Sequence, residues 1–225
     1  QYPEVFAEEF ADYLPLIVYS SNTGVVGSST PIHSPSDFVG LSLRTVGGTC
    51  ADFCQIMGAS PVSMGPGDLY TNLEKNVVNG YTFEWGGVNS FNLDEVTDYY
   101  LDANMFRTVL CIWITRDLWD SLSDQQREAF EVNSLREGSL KFANMYQKEG
   151  DETVAAIEQG DSVIYRPNDE EYELFQEQAA HIWDEWAENT KTLGGVAPAD
   201  YLESVQEAIE ANNGAAGSFQ TEPGF

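Results

Sequence analysis

Cationic side chains are scarce in this sequence: four lysines and six arginines stand against 37 aspartates and glutamates, a formal charge of −27. With no basic stripe to neutralise phosphates, nucleic-acid binding is excluded, and the same repulsion argues against anionic membrane surfaces. Long hydrophobic runs are missing too, since Thr108–Thr115 falls far short of the roughly 20 residues a membrane helix needs. Only two histidines (His33, His181) and three cysteines (Cys50, Cys54, Cys111) occur, at spacings that match no zinc site. Cys50 and Cys54 would stack on one helix face without the geometry for an easy bridge, and all three thiols are expected to be small buried hydrophobes. No Gly-x-Ser-x-Gly elbow, phosphate-binding loop, dinucleotide fingerprint or His-Glu-x-x-His pair is present. The first residues carry neither a basic stretch nor an apolar leader, which leaves the compartment open.

What is present is enough for a folded core. The 225 residues allow one large or two small domains, and 42% hydrophobic with 12% aromatic residues is too rich for a disordered acidic chain. The charge imbalance points to high salt. Screening reaches about 10 Å at 0.1 M salt and about 3 Å at 1 M, so self-repulsion largely disappears in brine. An acidic exported protein is the plainer alternative.

Strands alternate with helices along the chain, which predicts an α/β fold with at least partly parallel sheets. Leu16–Tyr19 reads as a strand closed by the turn-rich Ser20–Gly24, and Phe38–Val46 as a second strand. In it Leu41, Leu43 and Thr45 alternate with Ser42, Arg44 and Val46. Gly47-Gly48-Thr49 opens a helix through Met57, Pro61–Met64 is a strand, and a helix runs from Asp68 to about Asn76. Tyr81–Trp85 follows the Asn79-Gly80 turn and leads into a flexible Gly86-Gly87. Thr108–Thr115 has the continuous apolar pattern of a strand covered on both faces. Ser123-Asp124-Gln125-Gln126 is a capping box whose helix extends to about Gln159, with Gly150 as the expected bend. Asp161–Arg166 is a strand, Asn168 opens a helix carrying Tyr172, Phe175, Ala179, Ile182, Trp183 and Trp186 on one face, a last helix spans Ala199–Ala211, and Asn212–Phe225 reads as a tail.

Two residues stand out chemically. Arg44 lies near the C-terminal end of a strand, where open α/β sheets bind ligands, and a glycine turn and helix N-terminus follow it. A guanidinium there offers a two-pronged donor matched to a carboxylate, although an ion pair with one of the many acids is as compatible with position alone. Glu84, between Phe83 and Trp85, could hold a raised pKa and serve as a general acid.

The segment Pro31–Arg44 resembles the "P-I-x-S-x-x-D-L-x-G-L-K-I-R" stretch of the extracytoplasmic solute-binding proteins of TRAP transporters, the dicarboxylate-binding type. The likeness continues through Met57–Met64, Asp68–Gly80, Leu93–Tyr99 and Trp119–Ser123, in the family's order and over most of the chain from Leu16.

The resemblance implies a periplasmic-binding-protein-like α/β fold: two lobes with mixed sheets, joined by a long helix and closing on an organic anion. It implies a binding protein, not an enzyme, located in the periplasm or at the cell surface and feeding a sodium-coupled TRAP permease. Arg44 falls on the arginine that clamps the ligand carboxylate, and Tyr81, Thr82, Phe83, Glu84 and Trp85 fall on the second ligand segment. No cofactor is required, although a metal ion held at Glu84 and bridging the carboxylate is a second arrangement seen in some 2-oxo-acid binders. Residues 1–15 and 104–160 would be a remnant of the first lobe plus the long helix, and 16–103 with 161–225 the second lobe. The rest of the first lobe would be missing, leaving Val109–Ile114 with no sheet to join unless another chain covers it. Two other readings stay open: an acid–base enzyme built on Glu84, and a structural or assembly subunit in which Arg44 is paired to a protein acid.

Overall fold

The computed structural model describes residues 10–191 and 195–212. Tyr13–Ser20 (β1) and Gly24–Ser28 (β2) flank the turn at Ser21-Asn22-Thr23 and enter different sheets. Then come Ser42–Thr45 (β3), Thr49–Ile56 (α1), Ser60–Ser63 (β4), Leu69–Glu74 (α2), Gly80–Glu84 (β5), Trp85–Ser90 (α3), Tyr99–Leu101 (β6) and Val109–Thr115 (β7). Arg116–Ser121 (α4), Asp124–Asn133 (α5), Leu135–Ile157 (α6), Val163–Tyr165 (β8), Asp169–Ala179 (α7), Ile182–Asn189 (α8) and Pro198–Asn212 (α9) complete the order. The chain separates into two compact units: Asp12–Ile182 holds every strand among the described residues, and the described helices after Trp183 belong to the second. Among the described residues no helix is long and apolar enough to cross a membrane.

The larger sheet has six strands in the order β4-β3-β5-β2-β6-β8. β3 runs parallel to β4 and β5, β6 runs parallel to β8, and β2 is antiparallel to both neighbours. Successive side chains of β2 point to opposite faces, so Val25 enters one core and Val26 the other. The first core joins Val25 to Leu69 and Leu73 of α2, Val88 of α3 and Ile157 of α6. The second joins Val26 to Cys54 of α1, Met57, Phe38 and Phe175 of α7. Each fully buried side chain of this size contributes about 1.5–3 kcal/mol, so both faces hold the sheet.

β2 itself is not foreseen by the sequence pattern, because Gly24 and Gly27 read as loop residues. Their role is close approach: a Cβ at Gly24 would lie 2.7 Å from Cζ of Phe106, and one at Gly27 2.6 Å from the Tyr81 hydroxyl. The expected strand Phe38–Val46 is shorter, with a 3₁₀ turn at Pro35–Phe38 and the strand confined to Ser42–Thr45. Gly86 and Gly87 are not a flexible linker; both are buried within α3.

The helix after the capping box does break, but not at Gly150. Ser134 is extended and Leu135 sits at φ 50°, splitting α5 from α6, while Gly150 lies inside α6. There a Cβ would come within 2.8 Å of Asn22 Cγ, so glycine lets the helix approach the β1–β2 turn. The later helical face is also interrupted after Ala179, and Trp183 is 51% exposed rather than packed.

β7 corrects two expectations. It has a strand partner: β1 pairs with it antiparallel from Tyr13↔Thr115 to Ser20↔Val109. The stretch from Leu16 is thus one strand of this two-stranded ribbon. Nor is β7 covered on both faces, since Val109 is 66% and Ile112 41% exposed, and Val18 of β1 is 44% exposed. α6 covers the ribbon around Ile17 and Tyr19, where Tyr19 stacks on Phe142 and Tyr146 with centroids 5.5 and 5.0 Å apart. The cysteines are likewise not uniformly buried: Cys54 is, Cys50 is half-buried, and Cys111 is exposed. Residues 213–225 of the expected tail lie outside the described residues.

Candidate functional site

β3 and β5 lie side by side with Arg44 level with Tyr81, so their C-terminal ends bring Arg44, Phe83 and Glu84 together. Beyond β3 the chain turns through Gly47 and Gly48 at φ 89° and 58°, conformations that favour glycine, and enters α1 with Gly48 as its cap. Arg44 is only 2% exposed. Its Nε donates to the carbonyl of Met64 at 3.0 Å and its Nη1 to the carbonyl of Thr82 at 3.2 Å. Its Cζ lies 4.8 Å from the centroid of the Phe83 ring, a cation–π arrangement. A guanidinium carries five N–H groups, so donors remain after these two bonds.

No carboxylate stands within ion-pair distance of Arg44 among the described residues; the ion pairs there join other partners, such as Arg166 with Asp102 and Glu158. Glu84 is close enough to act on it through space. Burial lowers the Arg44 pKa and the Glu84 charge partly restores it. Glu84 has the converse balance: burial raises its pKa, Arg44 pulls it down, and Glu149 pushes it up. Glu84 occupies the N-cap position of α3 without bonding the cap through its side chain. Glu149, on α6, accepts a hydrogen bond from Ser90 Oγ at 2.8 Å.

The other two expected site residues point elsewhere. Tyr81 is fully buried in the first core, with its hydroxyl 3.1 Å from Thr97 Oγ1, and it serves packing. Trp85 is buried against Tyr100, ring centroids 5.2 Å apart, and its Nε1 donates to Asp102 Oδ1 at 3.4 Å. It borders a cavity of about 290 Å³ lined also by Asn22, Asp102, Asp151 and Arg166, which does not reach Arg44. Glu84 is not part of any group of three His, Cys, Asp or Glu side chains set to hold a metal among the described residues. The chemistry below rests on Arg44.

Two neighbours of the site escape sequence reasoning. Cys50 Sγ donates to Thr82 Oγ1 at 3.2 Å, and that hydroxyl donates to the Arg44 carbonyl at 3.3 Å, which ties the start of α1 to β3 and β5. The only hint is the four-residue spacing of Cys50 and Cys54 after the glycine turn. Tyr19 of β1 lies near enough to Glu84 for the carboxylate to help raise its pKa, behind the larger effects of burial and of Tyr146. Nothing local in the sequence marks it.

With that geometry in hand, the likeness to known proteins is broad. Residues 4–189 match the family described as bacterial extracellular solute-binding protein, family 7. The chain is 22% identical over 196 residues to the ectoine-binding periplasmic protein TeaA of Halomonas elongata, covering 86% of this chain and 57% of TeaA. It is 24% identical over 189 residues to the C4-dicarboxylate-binding periplasmic protein DctP of Rhodobacter capsulatus, covering 82% and 56%. It thus spans little more than half the length of these relatives. A solved TRAP solute-binding protein from Rhodoferax ferrireducens, in complex with copurified benzoate, superposes with a TM-score of 0.85 at 20% identity, covering 94% of this chain and 67% of that one.

Proposed function

Because this chain belongs to the bacterial extracellular solute-binding proteins, family 7, we propose that it captures a small organic carboxylate outside the cytoplasm and delivers it to a TRAP-type, sodium-coupled permease. One observation carries the reading: among the described residues Arg44 is a buried guanidinium that bonds two carbonyls and no acid, with N–H groups left for a ligand. A buried charge without a counter-ion is costly. A ligand carboxylate would supply that counter-ion, and the fork of the guanidinium would set its plane. Phe83 forms the apolar support beneath it. A structural subunit that had abandoned binding would be expected to pair this arginine with one of the chain's 37 acids. The alternative of an acid–base enzyme on Glu84 would require turnover, and the transport proteins similar to this chain give it no support.

Transport would take place in the periplasm or at the cell surface. The exposed apolar side of the β1–β7 ribbon, at Val18 and Val109, suits cover by further polypeptide, and we include such cover in the proposal.

Native mass spectrometry tests the reading. The purified protein should retain a small acid, and Arg44→Lys should release it with an unchanged circular dichroism spectrum. Lysine keeps the charge and loses the fork. A small acid retained equally by the variant, or no acid at all, would overturn the proposal.

A further inference from the structure

Thr82 holds Arg44 at both ends. Its carbonyl accepts a hydrogen bond from the guanidinium Nη1 at 3.2 Å, and its hydroxyl donates to the Arg44 main-chain carbonyl at 3.3 Å. The register explains how one residue does both. Arg44 is level with Tyr81 across β3 and β5, so Thr82 stands one step nearer the strand ends. Alternation along β5 turns the Thr82 side chain away from the face of Phe83 and toward α1, where Cys50 Sγ donates to its hydroxyl at 3.2 Å. A hydroxyl has one proton to give. With the Cys50 thiol donating into the Thr82 oxygen, that proton goes to the Arg44 carbonyl. Thr82 is 2% exposed, which shields both bonds from water.

An arginine side chain is long and has many rotamers, and only a fixed one presents its fork in a set plane. The Arg44 Nε is taken by the Met64 carbonyl at 3.0 Å. With Nη1 bonded once to Thr82, the N–H groups left over are one on Nη1 and two on Nη2. The Thr82 hydroxyl anchors the root of the side chain and the Thr82 carbonyl its head. The guanidinium is therefore ordered before a ligand arrives, which spares binding the cost of ordering it.

The resemblance puts Thr82 in the segment that touches the ligand. We propose instead that Thr82 is a positioning residue, which aims the Arg44 fork through its hydroxyl and carbonyl and acts on the ligand only through Arg44. The inference rests on the assignment of Arg44 as the carboxylate clamp and deepens it.

Proton–nitrogen NMR of the full chain at pH 6 in molar sodium chloride reads the guanidinium directly. The Arg44 Nε–H signal is the one that disappears in Arg44→Lys. Thr82→Val keeps the shape and the carbonyl and removes the hydroxyl, whereas Thr82→Ser keeps the hydroxyl. Thr82→Val should speed exchange of the Arg44 Nε–H with water roughly three- to tenfold, about what one neutral hydrogen bond is worth. It should weaken binding of acetate, titrated as its sodium salt at constant ionic strength, by a similar factor. Thr82→Ser should restore both. Thr82→Ala replaces the valine variant if that one fails to fold. Equal acceleration at the Trp85 indole N–H would mark a general loosening and overturn the positioning role. So would native acetate affinity without the hydroxyl, or a serine variant as weak as the valine one. In those cases loss of acetate binding in Arg44→Lys would leave the clamp standing. If the native protein does not bind acetate, or if Arg44→Lys binds it equally, the clamp falls and the role of Thr82 with it.

Discussion

The ring of Phe83 occupies the space that a side chain at Gly87 would need. A Cβ there would lie 2.8 Å from Cζ of the ring and closer still to its near edge. The ring that supports Arg44 is thus seated in a notch of α3, with Phe91 packed edge-on at 5.7 Å.

Gly87→Ala should therefore destabilise the protein despite the gain of about 1 kcal/mol that alanine brings to a helix interior. Overpacking costs of about 1–3 kcal/mol exceed that gain when the displaced group is a core ring. Gly86→Ala is the matched control: its Cβ would meet Glu149 Oε2 at 3.3 Å, a contact a small shift relieves. Urea midpoints should fall for Gly87→Ala and change little for Gly86→Ala; an equal response in both would contradict the notch.

Glu84 makes stability depend on pH with a definite sign. Its pKa is raised in the folded chain, chiefly by burial, above the ordinary value of 4.5. The folded state then holds the proton more tightly than the unfolded one. That contribution is present in full below the ordinary value and is lost as pH rises through the raised one. Glu84→Gln should accordingly have a higher Tm than the native protein at pH 7, with the gap closing toward pH 4. A gap that widens on acidification would refute the assignment.

Cys50 should behave as an acidic thiol. Its pKa is lowered to about 7, first by the hydrogen bond from Cys54, then by Thr82 and by the charge of Arg44, against the opposing effect of burial. Cys54, donating to Cys50 and buried, is pushed the other way. Iodoacetamide followed by peptide mapping should label Cys50 with a half-maximal rate near pH 7, and leave Cys54 unmodified. Labelling of Cys50 only under alkaline conditions would break the link from α1 through Thr82 to Arg44.

Salt should stabilise the fold. With a net charge of −27, repulsion acts across about 10 Å at 0.1 M salt and about 3 Å at 1 M. Scanning calorimetry should show Tm climbing between low and molar sodium chloride. A flat or falling curve would remove the adaptation to brine.

Several features follow from local chemistry and are legible in the sequence. The caps at Ser123 and Asn168 form as capping boxes because their partners sit three residues on. The helix after Gly47-Gly48 starts where two glycines permit positive φ. Arg44 stands at a strand end next to that turn, a position readable from the pattern of a short strand, glycines and a helix.

What the sequence could not supply depends on contacts between distant segments. Gly24 and Gly27 look like loop residues until Phe106 and Tyr81 are seen to fill the space above them. Gly150 looks like a helix breaker until Asn22 is found against it, and the real break at Leu135 has no local marker. In the ligand segment, alternation along β5 cannot tell a ring beneath a guanidinium from a core ring. Tyr81 and Phe83 lie on one strand face, yet Tyr81 packs the interior and Phe83 supports Arg44. That difference arises because Arg44 is level with Tyr81 across the sheet and its long side chain reaches forward along β5. Periodicity determined by the sequence sets which residues share a face, but strand register, a product of the whole sheet, decides which of them meets the charge.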